Sequence, residues 1–256
     1  MKLLGQIAVV TGGSSGLGRA ICEAFAAEGA SVIVNYRRSK SRADETVAAL
    51  NVLGAPGDHC TLRADVSRRA DVEKLFSVVR RRYGRLDILV NNAGATKQVS
   101  FEQLDRLSDK MLDSIWATNV KGPLYCTRAA LKLMKTTQRS VGPAWRGCVI
   151  TIGSNAVWTQ NASNMMYVVS KAAAHSLTHC LAKTFGSLAR FNAVAPGLNR
   201  TALTATASRS RFENVLALTP LGRLSEPKDV AAVVLSLAAD MKFVNGQVIV
   251  VDGGRS

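Results

Sequence analysis

Tyr167 and Lys171 stand four residues apart in Tyr167-Val168-Val169-Ser170-Lys171, a spacing that puts both side chains on one face of a helix. A free tyrosine has a pKa of about 10, too high to exchange protons readily near neutrality, and a nearby ammonium favours the phenolate and lowers it. The pair is candidate acid–base machinery, although a Tyr and a Lys four apart on an exposed helix face are also common. A second segment with chemical potential is Thr11-Gly12-Gly13-Ser14-Ser15-Gly16-Leu17-Gly18. Glycines permit positive φ and let a phosphate approach main-chain N–H groups, and a helix opening there adds the positive end of its dipole. The spacing Gly12-x-x-x-Gly16-x-Gly18 differs from the common G-x-G-x-x-G, and many strand–helix turns carry a single glycine.

These residues need a frame. Short apolar runs at 7–10, 31–34, 60–64, 87–90, 148–152, 191–195 and 247–251 predict strands. Helical patterns at 16–28, 43–53, 71–82, 101–118, 120–135, 167–185 and 230–238 alternate with them. Such alternation implies parallel pairing through right-handed crossovers, with helices on both faces. The fold class is therefore α/β: a doubly wound, mainly parallel seven-stranded sheet, whose ligand sits outside the carboxyl ends of the strands where the strand order reverses. No linker interrupts the chain, so one domain over 1–256 is expected.

Apolar residues make up 47% and charged residues 20% of the 256 positions, a mix that excludes a disordered chain, a collagen-like repeat and a disulfide-stapled miniprotein. No apolar run reaches the roughly 18 residues of a membrane span, and residues 1–6 lead into the first strand without a signal-peptide pattern. Lys and Arg number 33 against 18 Asp and Glu, a net charge of +15 that suits anionic partners or a solvated basic surface. Cys22, Cys60, Cys126, Cys148 and Cys180 are widely spaced and read as reduced core thiols of a cytoplasmic protein. His175 and His179 lack both the Glu of H-E-x-x-H and a third ligand, so they read as packing or interface residues and no metal is expected.

The glycine segment resembles the T-G-x-x-x-G-x-G signature of the short-chain dehydrogenase/reductase family, and the resemblance recurs in order along the chain. Asp65-Val66 follows the third strand, Asn91-Asn92-Ala93-Gly94 the fourth and Ser154 the fifth. Asn119 falls at the family's helix asparagine, Tyr167 to Lys171 matches Y-x-x-x-K, and Asn192-Ala193-Val194-Ala195-Pro196-Gly197 and Val251-Asp252-Gly253-Gly254 fit as well. The resemblance implies a Rossmann domain that transfers hydride between a nicotinamide dinucleotide and a carbonyl. Tyr167 would protonate the carbonyl oxygen, Ser154 would hydrogen-bond it, Lys171 would also hold the nicotinamide ribose, and Asn119 would position a water linking Lys171 to solvent. Read without the family, Ser154 is a turn residue and Asn119 a helix end before Pro123. Cofactor contacts are implied at Gly12, Ser14, Ser15, Gly16, Leu17 and Gly18, at Asp65 and Val66 beside the adenine, at Asn92, Ala93 and Gly94, and at Pro196, Gly197 and Thr201 beside the nicotinamide. Asn199 departs from the family's aliphatic residue.

NAD-selective folds of this kind place an Asp or Glu at the end of the second strand. Here Tyr36 holds that position and Arg37-Arg38 follows. A guanidinium can grip a 2′-phosphate, so NADP(H) is expected over NAD(H); solvated surface arginines are the other reading. Residues 198–216 are expected to form a substrate lid or an ordinary surface loop. Trp158, Met165 and Met166 would line an apolar substrate pocket or pack at a subunit interface. The run Thr219-Pro220-Leu221-Gly222-Arg223-Leu224 is similar to the 3-oxoacyl-carrier-protein reductase branch. It points to NADPH-dependent reduction of a ketone, with a carrier-linked 3-oxoacyl thioester among the candidates. Alternatives are a sugar, polyol, steroid or other secondary-alcohol dehydrogenase and, from another class, a non-catalytic nucleotide-sensing or nucleic-acid-binding protein. Neither a nucleic-acid nor a membrane partner is expected. Relatives commonly pair long helices, which implies a homo-oligomer, a tetramer or dimer.

Overall fold

The computed structural model describes residues 1–53, 56–199, 201, 204 and 208–256. Strands β1 (Ile7–Val10), β2 (Ser31–Tyr36), β3 (Cys60–Arg63), β4 (Ile88–Asn91), β5 (Gly147–Ile152), β6 (Ala189–Pro196) and β7 (Val248–Val251) form one sheet in the order β3-β2-β1-β4-β5-β6-β7. Every pairing is parallel, so the sheet is parallel throughout rather than mainly so. The helices are α1 (Gly16–Ala27), α2 (Lys40–Asn51), α3 (Arg69–Tyr83), α4 (Asp109–Trp116), α5 (Gly122–Val141), α6 (Ala156–Thr159), α7 (Met165–Phe185), α8 (Arg209–Ala217) and α9 (Pro227–Ala239).

The strands are continuous apolar runs because both faces of the sheet are covered. Side chains alternate between faces along a strand. Ala8, Val10, Val32, Val34, Ile88, Val90 and Ile150 enter one core with α1, α2 and α9. Their neighbours Val9, Ile33, Leu89 and Val149 enter a second core with α3 and α5. Polar substitution at the fully buried positions of the central strands, such as Val9, Ile33 or Leu89, would therefore bury a group that needs a partner.

The chain builds outward from β1 through β2 to β3, then crosses back to lay β4 on the other side of β1. The loops leaving β1 and β4 part above that reversal and open a crevice. Two local features shape it. The helices predicted at 101–118 and 120–135 are one kinked unit, in which a π-helical turn over Ala117–Lys121 joins α4 to α5. Pro123, in the first turn of α5, cannot donate a main-chain hydrogen bond, and an irregular turn absorbs that loss. Helix α4 begins only at Asp109, after a short 3-10 turn at Leu104–Arg106, because Ser108 is in extended conformation and Ser-Asp pairs start helices rather than continue them.

Helix α8 overlaps the end of the segment expected as a lid, and α6 follows Ser154; neither was anticipated. Of the predicted lid, positions 200, 202, 203 and 205–207 lie outside the described residues. All five cysteines are free; Cys22, Cys126 and Cys148 are core thiols as expected, but Cys60 is half-buried and Cys180 sits exposed on the outer side of α7. Among the described residues no helix is long and apolar enough to cross a membrane.

Candidate active site

One wall of the crevice is fixed by a staple that joins the bases of the β1 and β4 loops. Thr11 Oγ1 accepts the N–H groups of Asn92 and Ala93 at 2.9 and 3.0 Å. Asn92 Nδ2 donates to the carbonyls of Thr11 and Gly12 at 2.8 and 3.2 Å. Gly12 and Gly16 have φ of +64° and +54°, the left-handed region where a side chain is strained. At Gly18 the reason is space: a Cβ would overlap the Gly12 carbonyl oxygen and Asn92 Nδ2. Main chain cannot yield as a flexible side chain can. Gly18→Ala is therefore expected to cost about 1–3 kcal/mol of stability in urea unfolding, and to weaken dinucleotide binding by about tenfold for each 1.4 kcal/mol lost at the loop. Wild-type stability and affinity in that variant would show that the loop is slack.

Gly12, Ser14, Ser15, Gly16, Leu17 and Gly18 line a cleft of about 550 Å³ together with Tyr36, Arg37, Arg38, Asp65, Val66, Asn92, Ala93, Gly94, Pro196, Gly197 and Thr201. Sequence reasoning missed several further lining residues, Asn35, Ser39, Arg42 and Thr204 among them. Asn35 had a signal, a lone amide inside an apolar strand. Its Nδ2 donates to the carbonyls of Leu62 and Ala64 at 3.1 and 3.2 Å, and its Oδ1 accepts the Gly12 N–H at 3.4 Å, tying β2, β3 and the glycine loop together. Asp65 accepts from Ser67 Oγ at 2.6 Å and lies 3.8 Å from the Arg37 guanidinium. Burial works against its charge, but the Ser67 hydrogen bonds and Arg37 outweigh it and hold its carboxyl below the ordinary carboxylate range.

These walls fit a nicotinamide dinucleotide. The first turn of α1 holds no acidic residue and Ser15 makes no side-chain cap, so its N–H groups face the cleft as an anion site. At the other end of the cleft Asn199 Oδ1 is buried with no hydrogen-bond donor among the described residues, an acceptor placed for a carboxamide N–H.

Tyr167 and Lys171 project from the start of α7. Asn164 caps that helix, its Oδ1 accepting the Tyr167 N–H at 2.7 Å, while its Nδ2 reaches the Lys97 carbonyl at 2.7 Å. Lys171 is buried, its Nζ donating to the Ile152 carbonyl at 2.7 Å and lying 5.6 Å from the Tyr167 ring centroid. Burial pushes its pKa down to about 8. Burial also raises the Tyr167 phenol above its ordinary value, while the hydrogen bond with Ser154 and the charge of Arg211 pull it back. The lowering expected from Lys171 does not arise: the ammonium lies over the ring and is turned to a carbonyl, and the net shift of the phenol is upward.

Asn119, in the π-helical turn, does not line the cleft but stands behind it. Its side chain accepts the Ala95 N–H at 2.8 Å and donates to the Ala95 carbonyl at 3.0 Å and Ser170 Oγ at 2.9 Å. His175 accepts the Ser154 N–H at 3.4 Å and stacks on Trp158 with ring centroids 5.3 Å apart. Burial pushes its pKa down to about 4, so it is a neutral packing group that seats Ser154.

Beyond Tyr167 lies a smaller pocket of about 120 Å³. Its walls correct the expectation of an apolar chamber: Trp158, Met165 and Met166 are not among its described lining residues, and Trp158 and Met165 are exposed. Polar and basic side chains line it instead, including Thr96, Lys97, Asn161, Arg211 and Arg255. No motif singled out the two arginines.

A family model described as enoyl-(acyl carrier protein) reductase matches residues 12–256. A Streptomyces violaceoruber protein named for ketoacyl reductase 2 of the granaticin polyketide synthase is 38% identical over 97% of this chain and 95% of its own. A 3-ketoacyl-(acyl-carrier-protein) reductase from Brucella melitensis, solved with NADH, superposes with a TM-score of 0.89 at 27% identity, covering 99% of both chains. A short chain dehydrogenase from Burkholderia cenocepacia J2315, solved with NADP, gives 0.88 at 29% identity over 100% of this chain and 99% of its own.

Proposed function

We propose, from the premise that this chain belongs to the short-chain dehydrogenase/reductase family of NAD(P)-dependent oxidoreductases, that it reduces a ketone to a secondary alcohol with NADP(H) as its preferred dinucleotide. One observation carries the reading. Ser154, Tyr167, Gly197 and Thr204 line both the dinucleotide cleft and the smaller pocket; the Thr204 hydroxyl is committed to the Asn199 carbonyl at 2.6 Å, and the Ser154 and Tyr167 hydroxyls stand where the cavities meet. A carbonyl entering from the pocket side reaches both.

The dinucleotide, when bound, supplies a hydride to the carbonyl carbon. Tyr167 Oη gives its proton to the carbonyl oxygen as negative charge develops there, and Ser154 Oγ hydrogen-bonds the same oxygen. Burial keeps the phenol protonated through neutrality, which suits a donor. Lys171 would hold the nicotinamide ribose, and Ser154 and Arg211 favour the phenolate left behind until a proton returns from solvent. Asn119 is a positioning residue: its amide ties the main chain of Ala95 to Ser170, one residue from Lys171. Arg37, Arg38 and Arg42 at the cleft mouth support the choice of NADP(H), since each can meet a 2′-phosphate.

The names of the similar reductases suggest 3-oxoacyl thioesters as the first substrates to try, and the net charge of +15 suits an acidic carrier. The test is NADPH oxidation over a panel of 3-oxoacyl thioesters, free oxo acids and their esters, cyclic ketones and ketoses. Turnover of at least one ketone is expected. A purified, NADPH-binding protein that reduces none of them overturns the reading.

A further inference from the structure

The pocket beside Tyr167 is lined by Lys97, Arg211 and Arg255 and by no Asp or Glu. Neither arginine forms an ion pair among the described residues. Asp252, three residues before Arg255, accepts from Asn155 Nδ2 at 2.9 Å and from the N–H groups of Gly254, Arg255 and Ser256 at 2.9 to 3.2 Å, and it favours the Arg255 charge without forming a close ion pair with it. Arg211 Nε is sealed from solvent and has no acceptor among the described residues.

Arginines held in this way carry a cost. Burial disfavours both guanidinium charges; Arg255 opposes that of Arg211 further, while Asp252 offsets part of the cost at Arg255. A buried donor with no acceptor loses its hydration and gains nothing in return. Arg209, two residues away on the same helix, shows the contrast: it is exposed and pairs with Glu213 at 2.8 Å. A planar oxyanion in the pocket would answer both guanidinium groups at once, since carboxylate and guanidinium match as a two-pronged pair.

We infer that the substrate is a ketone bearing a carboxylate a few bonds from the carbonyl, and that Arg211 and Arg255 recognise that carboxylate. The inference rests on the ketone-reductase reading and names its substrate class. The anion belongs near the reacting carbonyl because Arg211 lines the same small pocket as the Tyr167 phenol. A carrier-linked thioester has a neutral acyl head, and its carrier phosphate lies many bonds from the ketone, so it leaves the two arginines unanswered.

The experiment compares a 3-oxo acid and a 2-oxo acid with their methyl esters, using the holoenzyme and NADPH. For at least one pair, wild-type kcat/KM should favour the acid by about 10- to 100-fold, the range that charge-assisted hydrogen bonds give. Arg211→Gln and Arg255→Gln should each lower that acid-to-ester ratio by about tenfold, and Arg209→Gln should leave it unchanged. A wild type that prefers the esters, or a ratio insensitive to both pocket variants, overturns the inference. A wild type that reduces no ketone at all sinks the reductase reading instead. In that case calorimetric binding of a 3-hydroxy acid and its methyl ester to the NADP+ complex decides. Binding of the acid alone, lost in Arg211→Gln or Arg255→Gln, upholds carboxylate recognition. Equal binding of the pair, or none by the acid, overturns it.

Discussion

Tyr167→Phe is expected to lower kcat for ketone reduction by about 10²- to 10⁴-fold, the usual worth of a positioned general acid, while the affinity for NADPH stays near wild type. The separation follows from geometry. Phenylalanine keeps the ring over which Lys171 Nζ sits at 5.6 Å and removes only the hydroxyl at the junction of cleft and pocket. Lys171→Ala should behave differently. It takes away a group in the dinucleotide cleft as well as the charge beside the phenol, so the Kd for NADPH should rise together with the fall in kcat. Stopped-flow binding and steady-state rates on one ketone distinguish the two variants. The pH dependence has a definite sign. Reduction consumes the protonated phenol, and burial raises its pKa, so rates are sustained through neutrality and fall on the alkaline side. A Tyr167→Phe enzyme with near-wild-type kcat would show that another group delivers the proton.

Wild-type protein should use NADPH in preference to NADH by about 10- to 100-fold in kcat/KM, the range that hydrogen bonds to a charged group provide. Tyr36→Asp combined with Arg37→Ala should reverse the preference, a change of about 100-fold or more in the ratio once a carboxylate both repels the 2′-phosphate and accepts from the 2′-hydroxyl. Tyr36 ends β2 facing the cleft, and no carboxylate stands at that position. Arg37 rests 3.8 Å from Asp65 with 44% of its side chain exposed. That is a weak surface pair, readily exchanged for a doubly charged phosphate. The similar solved structures hold NADP in one case and NADH in the other, so the preference has to be read from residues 36–42 of this chain. A wild-type enzyme that favours NADH would leave Arg37, Arg38 and Arg42 as solvated charge.

What could be read without coordinates was whatever lies within one turn or one strand. The glycine loop, the Tyr167–Lys171 pair and the seven apolar runs are local patterns. A strand buried on both faces must be apolar at every position, as Val32-Ile33-Val34 is. Helix α8 escaped because its burial signal is thin: Val215 is its buried residue, and the small polar run before it looked like loop. The π-helical turn escaped as a form, although Pro123 and Asn119 marked its place. Trp158 and Met165 were assigned by residue type to a possible apolar pocket, and residue type does not say which way a short helix such as α6 faces.

The linear order of residues by itself determined the fold class, the family and many of the cleft-lining groups, though not Asn35, Ser39, Arg42 or Thr204, because spacing along a helix or strand is set by covalent geometry and needs no partner. Tertiary structure decided the rest. Lys171 bonds the Ile152 carbonyl because α7 packs against the end of β5. The tuning of Tyr167 falls to Ser154 and Arg211, separated from it along the chain by 13 and 44 positions, because electrostatics acts through space. Arg211 and Arg255 share one small pocket only because the crossovers of a parallel sheet bring the ends of β5, β6 and β7 to the same edge. Burial and through-space charge are properties of that convergence, so the character of the substrate pocket became visible only with the chain folded.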